Sequence, residues 1–397
     1  MNQQEVLQLI GRKSILFEND LAEHSSKINS EVSGASFLVI GGAGSIGRAV
    51  VKELFSRGPQ RLYVVDTSEN NLAELVRDLR SSLGYIKGDF RTYCMDALSP
   101  EFDAFCSQQG PFDYVLNFSA LKHVRSEKDP YTLMRMIRTN IFLTKKALGY
   151  AEKFGSKKFF CVSTDKASNP ANMMGASKRT MELFLLNYAR VPVSSARFAN
   201  VAFSDGSLLC SFRNRLEANQ PLAGPNDIQR YFLTVEEAAV LCLLSIFLGD
   251  NHEIFFPKLD TGISLESFDN IAYRFLRLNN LEPVDFDSEE EARASVAELR
   301  SQGKWPCHFS GSSTTGEKPV EEFYSDSELV DWERFGDIGI VNNDHKVDSG
   351  EIEAFCEQIE SCLAAGNWDK PMLVNLFSRL LPSFDHVEKN QNLDQKM

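Results

Sequence analysis

The sequence has no surplus of basic residues. Its 397 residues include 42 Lys and Arg against 55 Asp and Glu, so the net charge is −13 and the pI is about 5.1. A protein without a broad basic surface cannot neutralise a row of phosphates, which disfavours nucleic acids and anionic membranes as partners. A small anion such as a diphosphate is still allowed, because a few local cations are enough to bind it.

The sequence also lacks paired cysteines and long apolar segments. None of its eight cysteines stands in a CxxC pair, and no second Cys/His pair accompanies Cys307 and His308, so we expect reduced thiols and no metal site. The longest apolar run, residues 238–248, is too short to cross a bilayer. The N-terminal residues lack the apolar core of a signal peptide. These absences predict a cytoplasmic protein with no membrane insertion.

From residue 36 onward, apolar β-rich runs alternate with helical patterns. Such alternation is typical of βαβ units, in which helices cover both faces of a parallel sheet. The sequence therefore predicts an α/β protein with a Rossmann-type, doubly wound parallel sheet and a smaller C-terminal substrate-binding region. The predicted strands cover residues 36–41, 61–66, 113–120 and 157–163, and the predicted helices cover 44–58, 71–84 and 139–155.

This pattern divides the chain into four regions. A helical arm is predicted over residues 1–34, a dinucleotide-binding domain over 35–200, and a substrate-binding region, interleaved with that domain, over 201–384. The polar residues 385–397 are predicted to form a disordered tail. Three helices are predicted in the third region. The helix over residues 235–249 is expected to be buried and the one over 288–303 to face solvent, and the third covers 351–366.

A glycine-rich loop with GxGxxG spacing links the first predicted strand to the first predicted helix. Its glycines allow a tight turn, the approach of a pyrophosphate and close packing of helix on strand. The helix N-terminus offers free N–H groups to the phosphates. An ordinary glycine turn is the alternative. The loop residues assigned to cofactor binding are Gly41, Gly42, Gly44, Ser45, Ile46 and Gly47.

Two aspartates extend this candidate cofactor site. Asp66 ends the second predicted strand, where a carboxylate accepts a hydrogen bond from a ribose 2′-hydroxyl and repels a 2′-phosphate. Asp96 follows a third strand and is assigned to the adenine end of the site, with a simple turn residue as the alternative. The carboxylate at residue 66 favours NAD over NADP, so the sequence predicts NAD as the cofactor.

The segment from Ser163 to Lys178 reads STDKASNPANMMGASK. Many nicotinamide enzymes place a tyrosine four residues before such a lysine and use its phenol as the base. Here that position holds Met174, whose thioether cannot take a proton. Either the chain has lost its proton chemistry, or the preceding Ser-Thr-Asp-Lys run supplies it.

These motifs resemble the extended short-chain dehydrogenase/reductases and, more narrowly, the UDP-N-acetylglucosamine 4,6-dehydratases of the CapD-like polysaccharide-biosynthesis family. The resemblance covers about residues 9–330, and its most specific part joins TDKA to MGASK. Larger members of the family carry transmembrane helices ahead of this region. The segments that carry the resemblance are LIGRKSILFE (9–18), SALKHV (119–124), STDKASNPANMMGASKR (163–179), RFANV (197–201), QRYFLT (229–234) and GEKPVEEFY (316–324).

The resemblance implies a reaction. Family members move a hydride from sugar carbon 4 to NAD, eliminate water across carbons 5 and 6, and return the hydride to carbon 6. UDP-N-acetylglucosamine thereby becomes a UDP-4-keto-6-deoxy-N-acetylhexosamine, used for cell-surface deoxyamino or nonulosonic sugars. The chemistry needs a base at the carbon 4 hydroxyl, a base at carbon 5 and an acid for the carbon 6 hydroxyl.

The resemblance also implies residue roles. Lys178 is expected to hold the nicotinamide ribose, Asp165 to protonate the departing hydroxyl, and Lys166 to act as the base at carbon 5. For the carbon 4 base we favour Thr164, working through water or the ribose hydroxyl toward Lys178. Met174, at the tyrosine position, is interpreted as helix packing. An inert site is the alternative.

The substrate-binding residues implied by the resemblance are Lys122, Ser163, Asn200, Arg230 and Glu317. Three positions depart from the family pattern, because Ala199 stands where glycine is common and Asp205 and Thr314 stand where arginines are common. The loss of two cations weakens the expectation of a bound diphosphate. The reaction type is therefore better supported than the nucleotide.

Several features stay open at this point. Relatives self-associate, so we expect a homo-oligomer, with the N-terminal arm as a candidate contact. A nucleotide-sugar epimerase of the same fold is one alternative function, and a non-catalytic NAD-binding regulatory protein is another. The configuration at carbon 5 of the product is also undecided.

Overall fold

The structure is a computed structural model, which describes residues 1–259, 262–263, 265–312, 318, 320–342 and 348–387. Within this part of the chain the strands are β1 (Ser36–Ile40), β2 (Arg61–Asp66), β3 (Asp89–Cys94), β4 (Tyr114–Asn117), β5 (Lys158–Thr164), β6 (Val193–Phe198), β7 (Asn200–Val201), β8 (Leu222–Pro225), β9 (Gln229–Leu233), β10 (Glu253–Pro257), β11 (Leu265–Ser267), β12 (Glu282–Asp285), β13 (Lys304–Ser310), β14 (Leu329–Asp331) and β15 (Ile338–Asn342).

The helices in the same residues are α1 (Gln3–Leu9), α2 (Glu18–Val32), α3 (Ser45–Ser56), α4 (Glu69–Ser82), α5 (Pro100–Gln109), α6 (Pro130–Ile137), α7 (Leu143–Phe154), α8 (Met173–Tyr188), α9 (Leu208–Glu217), α10 (Val235–Leu248), α11 (Phe268–Leu278), α12 (Glu289–Ala294), α13 (Val296–Ser301), α14 (Ser349–Ala365) and α15 (Lys370–Leu380). Shorter turns are the 3-10 helices Val124–Glu127 and Asp165–Ala167 and the π-helical turn Arg138–Phe142, which joins α6 to α7.

Nine of the described strands form one large sheet in the order β14-β15-β10-β6-β5-β4-β1-β2-β3. The strands from β10 to β3 run parallel, whereas β15 and β14 are added antiparallel at one edge. Every residue of β1, β4 and β6 is buried, as expected for a sheet with helices on both faces. The predicted α/β, doubly wound architecture is confirmed.

Two hydrophobic cores lie on opposite faces of this sheet, and β1 contributes to both. Phe37 and Val39 pack into the core formed with α2, α3, α4 and α10. Leu38 and Ile40 pack into the core formed with α5, α6, α7, α8, α14 and α15. Alternation of this kind follows from the period of two in a β-strand.

The strand order reverses at β1, which pairs with β2 on one side and with β4 on the other. In open α/β sheets, ligands bind at the carboxyl ends of the strands where the order reverses. The glycine-rich loop begins directly after β1, and Phe118 and Ser119 follow β4. The topology therefore places the candidate cofactor loop in the crevice expected for a ligand.

A smaller region carries the three-stranded sheets β11-β9-β7 and β12-β13-β8. Its core surrounds Trp305, Phe232 and Phe275. The single helix predicted over 288–303 is instead two short helices, α12 and α13, separated at Ser295. The Ser295 hydroxyl donates to the carbonyl of Glu291 at 2.8 Å, and such local bonding competes with a continuous helix.

The C-terminal helices pack against the half of the protein that carries the glycine-rich loop. Phe355 of α14 and Phe377 of α15 meet edge to face, with ring centroids 4.9 Å apart, in the core shared with α6 and α8. The sequence analysis assigned these helices to the substrate-binding region. Residues 388–397 lie outside the described part of the chain, so the disordered tail stays a prediction.

The N-terminal arm is docked on the same chain. Arg12 forms a bidentate ion pair with Glu237 of α10, at 2.8 and 2.5 Å, and both side chains are buried. Asp20 accepts hydrogen bonds from the backbone of Gly336 and Asp337. Among the described residues no helix is both long and apolar enough to cross a membrane. Self-association through the arm stays a prediction.

Candidate active site

In the loop after β1, glycine stands at each of its positions for a different structural reason. A Cβ atom added to Gly41, whose φ is +73°, would lie 2.6 Å from the backbone nitrogen of Ser119, and one added to Gly47 would lie 2.4 Å from the carbonyl of Gly41. A Cβ on Gly42 would meet Val64 at 2.6 Å. A Cβ atom on Gly44, however, would lie 3.7 Å from the carbonyl oxygen of Gly41, an ordinary contact, so packing does not demand glycine there. A bare backbone at Gly44 suits the close approach of a ligand.

The N-terminus of α3 is arranged to receive an anion. Its N-cap, Gly44, provides no side-chain cap for the first N–H groups of the helix. The hydroxyl of Ser45 accepts a hydrogen bond from the backbone of Asp205 at 2.8 Å, which ties the loop to the segment after β7. Ile46 packs against the core instead. The side chains of Ser45 and Ile46 thus contact other parts of the protein, whereas Gly44 has no side chain and leaves its backbone accessible to a ligand.

A cavity of about 490 Å³ opens in front of this loop. Gly41, Gly44, Asp66 and Asp96 all line it, so the structure brings the predicted adenosine-side residues together. Asp66 accepts hydrogen bonds from the backbone of Ala43 and Ser68, both at 3.0 Å, while Asp96 accepts one from Leu98 at 2.9 Å. The bare glycine backbone, the helix N-terminus and the two carboxylates fit the adenosine diphosphate part of a dinucleotide.

The Ser-Thr-Asp-Lys run lies where β5 ends. Asp165 begins a 3-10 turn and is 4% exposed. Its Oδ1 atom accepts hydrogen bonds from Thr164 Oγ1 at 2.8 Å and from Lys166 Nζ at 3.0 Å. The structure therefore joins three of the predicted catalytic residues, which are neighbours in sequence, through one carboxylate oxygen.

A buried glutamate faces this group, and the sequence analysis missed it. Oε1 of Glu321 lies 3.8 Å from Lys166 Nζ and 3.9 Å from a guanidinium nitrogen of Arg230. Burial raises the pKa of Glu321, although the charges of Lys166 and Arg230 act in the opposite direction. Glu321 belongs to GEKPVEEFY, one of the segments that carry the family resemblance. The residue predicted from that segment was Glu317, which lies outside the described part of the chain.

Lys178 lies on α8, next to the end of β5. It is 3% exposed, and its ammonium group donates to the carbonyl of Val162 at 2.9 Å. Burial lowers the pKa of Lys178. The hydroxyl of Thr164 donates to Asp165 and not toward Lys178. The hydrogen bonds of the described residues thus give Thr164 a different relay partner from the one expected.

Met174 packs into the hydrophobic core on the α8 face of the sheet and is 4% exposed. Its backbone N–H donates to the buried carboxylate of Glu127 at 3.1 Å. The next residue, Gly175, must be glycine because a Cβ atom there would lie 2.3 Å from the carbonyl oxygen of Lys166. The glycine of MGASK therefore lets α8 approach the Asp165–Ala167 turn, while the methionine fills the core.

A fully buried ion-pair network lies behind β5. Arg197 donates to Glu182 at 2.9 and 2.7 Å and to Glu328 at 2.8 Å. Ser163 donates to Glu182 at 2.5 Å, so its hydroxyl hydrogen is directed into this network. Burial alone would raise the pKa of Glu328, but the hydrogen bond and charge of Arg197 lower it to about 2. The sequence analysis did not identify this network, whose members come from β6, α8 and the segment before β14.

The remaining predicted substrate residues lie on separate segments. Lys122 donates to the hydroxyl of Ser204 at 3.4 Å, and Asn200 is half-buried on β7. The buried guanidinium of Arg230 donates to the carbonyl of Lys318 at 2.9 Å. Arg230 also lies beside Glu321, with 3.9 Å between the guanidinium and the carboxylate. Lys122, Asn200 and Arg230 are not joined to one another by the hydrogen bonds of the described residues.

A sequence profile described as "Polysaccharide biosynthesis protein" matches residues 37–343, well over half of the chain. The chain belongs to this family. The match covers the glycine-rich loop, Asp66, the Asp165–Ala167 turn and α8, and it ends before α14. The family suggested by the sequence motifs is therefore confirmed.

The individual relatives of the chain are distant. The chain is 27% identical over 389 residues to the capsular polysaccharide biosynthesis protein CapD of Staphylococcus aureus, covering 94% of this chain and 57% of CapD. It is 27% identical over 237 residues to a UDP-N-acetylglucosamine 4,6-dehydratase (inverting) of Campylobacter jejuni, covering 57% and 68%. A UDP-glucose 4-epimerase of Rickettsia bellii is 28% identical over 239 residues, covering 56% and 66%. The chain thus spans little more than half the length of CapD.

Solved structures share the fold of this family member. Pen from Bacillus thuringiensis superposes with a TM-score of 0.63 at 21% identity, covering 83% of this chain and 98% of Pen. DesIV (dTDP-glucose 4,6-dehydratase) of Streptomyces venezuelae, with NAD and TYD bound, superposes with a TM-score of 0.54 at 18% identity, covering 72% and 87%. At these identities the likeness establishes the fold only.

Proposed function

We propose that the chain is an NAD-dependent nucleotide-sugar 4,6-dehydratase that acts on UDP-N-acetylglucosamine. The observation that supports this most is the position of Asp165 between Thr164 and Lys166, with hydrogen bonds of 2.8 and 3.0 Å to one carboxylate oxygen. A hydroxyl, a carboxyl group and an amine are the groups that the three proton transfers require. A site retaining all three is unlike one that has lost its chemistry with the tyrosine.

The relatives support the same class of substrate. One is named a UDP-N-acetylglucosamine 4,6-dehydratase and another a UDP-glucose 4-epimerase, so both act on nucleotide sugars by name. The DesIV structure holds NAD, and the cavity of this chain has the features of a dinucleotide site. A nucleotide-sugar substrate and NAD are therefore the ligands that we propose, together with a cytoplasmic, self-associating enzyme.

Cofactor binding is assigned to the glycine-rich loop, Asp66 and Lys178. When bound, NAD would accept a hydride from carbon 4 of the sugar and return it to carbon 6. Lys178 is held by the carbonyl of Val162, so its position relative to β5 is set before any ligand arrives. Asp66 faces the cavity from the end of β2, where it can accept from the adenosine ribose.

The proton of the carbon 4 hydroxyl passes to Thr164 Oγ1 while Thr164 gives its own proton to Asp165 Oδ1, 2.8 Å away. This route replaces the expected relay toward Lys178. Asp165 thereby changes from a carboxylate to a carboxylic acid. It is then able to protonate the carbon 6 hydroxyl, which leaves as water.

Lys166 in its neutral form takes the proton from carbon 5, and the electrons of that C–H bond form the C5–C6 double bond as the C6–O bond breaks. After carbon 6 has been reduced, Lys166 returns a proton to carbon 5. Lys166 is then a neutral amine and Asp165 a carboxylate again, as at the start of the cycle. The proton that entered from the carbon 4 hydroxyl has left in the water molecule, so the cycle balances.

Glu321 and Arg230 are proposed to tune this pair. A carboxylate 3.8 Å from Lys166 would favour its charged form, which cannot act as a base. Burial raises the pKa of Glu321, so this carboxyl group keeps its proton to a higher pH than an exposed glutamate does. Arg230, 3.9 Å away, offsets the negative charge when Glu321 does ionise. The arrangement limits how strongly Glu321 suppresses the basicity of Lys166.

For the substrate, we propose that Lys122 and Asn200 contact the sugar diphosphate and that Glu317 contacts the nucleotide ribose. Ser163 is retained as a neighbour of the reacting sugar, with its hydroxyl oriented by Glu182. Arg230 is assigned to Glu321 in addition to any phosphate contact.

The direct test is incubation of the purified protein with UDP-N-acetylglucosamine and saturating NAD in heavy water. We expect mass spectrometry to show the loss of one water, and proton NMR to show deuterium at carbon 5 of a 4-keto-6-deoxy product. Deuterium exchange or a changed carbon 4 configuration without water loss would select the epimerase. Tight NAD binding with unchanged nucleotide sugars would favour the non-catalytic alternative.

A further inference from the structure

The helical hairpin formed by α14 and α15 lies outside residues 37–343, the span that the family profile matches. It is nevertheless integrated into the cofactor half of the protein. Phe355 and Phe377 belong to the core shared with α6, α7 and α8, and Tyr188 of α8 donates to the carbonyl of Ser349 at 2.7 Å. The connection between the two helices is thereby held against α6.

Trp368 is the central side chain of that connection. Its indole N–H donates to the carbonyl of Pro130 at 2.9 Å, and its ring meets Tyr131 at 6.2 Å with an interplanar angle of 72°. Gly366, with φ of +62°, ends α14, and the side chain of Asp369 caps α15 by accepting from Met372 at 2.7 Å. The indole is therefore fixed from both sides.

Trp368 and Leu363 line the same cavity as Gly44, Asp66 and Asp96. We propose that the α14–α15 hairpin forms the outer wall of the adenosine half of the cofactor site and retains the dinucleotide between turnovers. This inference rests on the proposed function, in which the hydride returns to the sugar and no exchange of cofactor is needed. An aromatic and an aliphatic side chain beside two carboxylates suit an adenine ring and its ribose.

The first test is the rate at which NADH dissociates from the full-length protein, measured by competition with excess NAD in a stopped-flow fluorimeter. Trp368→Ala is expected to release NADH about 5- to 150-fold faster, the range that an aromatic contact with a base is worth. Trp332→Ala is the matched control. Trp332 follows β14, at the opposite edge of the large sheet from β3, so its loss is expected to leave the rate unchanged.

The second test does not depend on the release rate. Tryptophan emission overlaps NADH absorption, so a tryptophan beside the ligand transfers energy to it. Trp368→Phe is expected to remove most of the sensitised NADH emission, whereas Trp332→Phe keeps it. The Phe variant retains an aromatic ring, and equal thermal midpoints of the ligand-free proteins would establish that it folds.

The outcomes separate the two proposals. Failure of the wild-type protein to bind NADH or NAD at all would overturn the proposed function. If the wild type binds NADH but Trp368→Ala releases it at the wild-type rate, or Trp368→Phe keeps the full energy transfer, the hairpin is not a wall of the site and this inference is wrong.

Discussion

Nζ of Lys166 lies 3.8 Å from Oε1 of Glu321, a buried residue from a distant part of the chain. The same ammonium group donates to Asp165 at 3.0 Å. A lysine between two carboxyl groups is held in one place, but it acts as a base only when it is neutral. The charge state of Glu321 is therefore expected to influence the proposed chemistry.

Replacement of Glu321 by Gln removes the negative charge beside Lys166 and keeps the shape of the side chain. We expect kcat to depend less on pH in this variant, because the carboxyl group at residue 321, whose pKa burial raises, no longer titrates beside the proposed base. Glu321→Ala should lower kcat at every pH, since Lys166 and Arg230 both lose a neighbouring carboxylate. A pH profile of the Gln variant identical to that of the wild type would show that Glu321 does not act on the base.

Loss of either member of the acid–base pair should stop dehydration. Asp165→Asn and Lys166→Ala are each expected to lower kcat by about 10²- to 10⁴-fold, the usual worth of general acid–base catalysis. Binding of NAD should be unchanged, because neither side chain lines the adenosine cavity. Rates of water loss by mass spectrometry and NAD affinity by calorimetry check both parts. Lys52→Ala, in a surface ion pair with Asp78, is the control. Turnover of Lys166→Ala within tenfold of wild type would remove Lys166 from the mechanism.

Met174 should matter for stability rather than for proton transfer. Met174→Ala is expected to lower the free energy of unfolding by about 2 kcal/mol or more, since it leaves a cavity in the core. Met174→Leu should cost less because it conserves volume. Both variants should keep kcat within a few-fold when rates are normalised to folded protein. A loss of activity as complete as that of Lys166→Ala would disprove the claim that Met174 handles no proton.

Asp66 should control the affinity and choice of cofactor. Asp66→Ala is expected to weaken NAD binding by about tenfold or more, because a charged acceptor at the ribose and the bond to the Ala43 backbone are both lost. Asp66→Asn should also narrow the preference for NAD over NADP, since the repulsion of a 2′-phosphate falls. Calorimetric titration with both dinucleotides measures this. Unchanged affinities would show that Asp66 does not face the ribose.

The buried network around Arg197 predicts a stability that depends on pH. The pKa of Glu328 is about 2 in the folded protein, against an ordinary 4.5, so its contribution is fully present above about pH 4.5 and is lost as pH falls toward 2. The shift corresponds to about 3 kcal/mol at most. The free energy of unfolding, measured with urea, should be lower at pH 4 than at pH 7. This difference should be smaller in Glu328→Gln than in the wild type.

The control for this experiment is Glu74→Gln, which removes one partner of an exposed pair with Arg77. Exposed pairs contribute little, so this variant should follow the wild type at both pH values. A Glu328→Gln profile as steep as the wild-type profile would assign the acid sensitivity to other groups.

The extent of sequence-based prediction differs between the fold and the site. Strands β1, β2 and β5 were predicted to within one residue of their observed bounds, because fully buried parallel strands are continuous apolar runs. The strand predicted over 113–120 is shorter in the structure, where β4 covers Tyr114–Asn117. The helix over 288–303 was predicted as one element, since its charged pattern does not reveal the break at Ser295. In the candidate site, Thr164, Asp165 and Lys166 are neighbours in sequence. Their proximity was predictable because all three lie where one strand, β5, ends.

The amino-acid sequence by itself determined the parallel sheet, the glycine-rich loop with Asp66, and the adjacent hydroxyl, carboxyl and amine groups. These features depend on local spacing and on the period of strands and helices, which can be read from a single chain. Only the tertiary structure decided that Glu321 faces Lys166, that Arg197 joins Glu182 to Glu328, and that Trp368 lines the cavity in front of the glycine-rich loop. Such contacts join residues far apart in the chain. The strength of the charged contacts depends on the burial of the charged side chains, which a hydrophobic period does not predict.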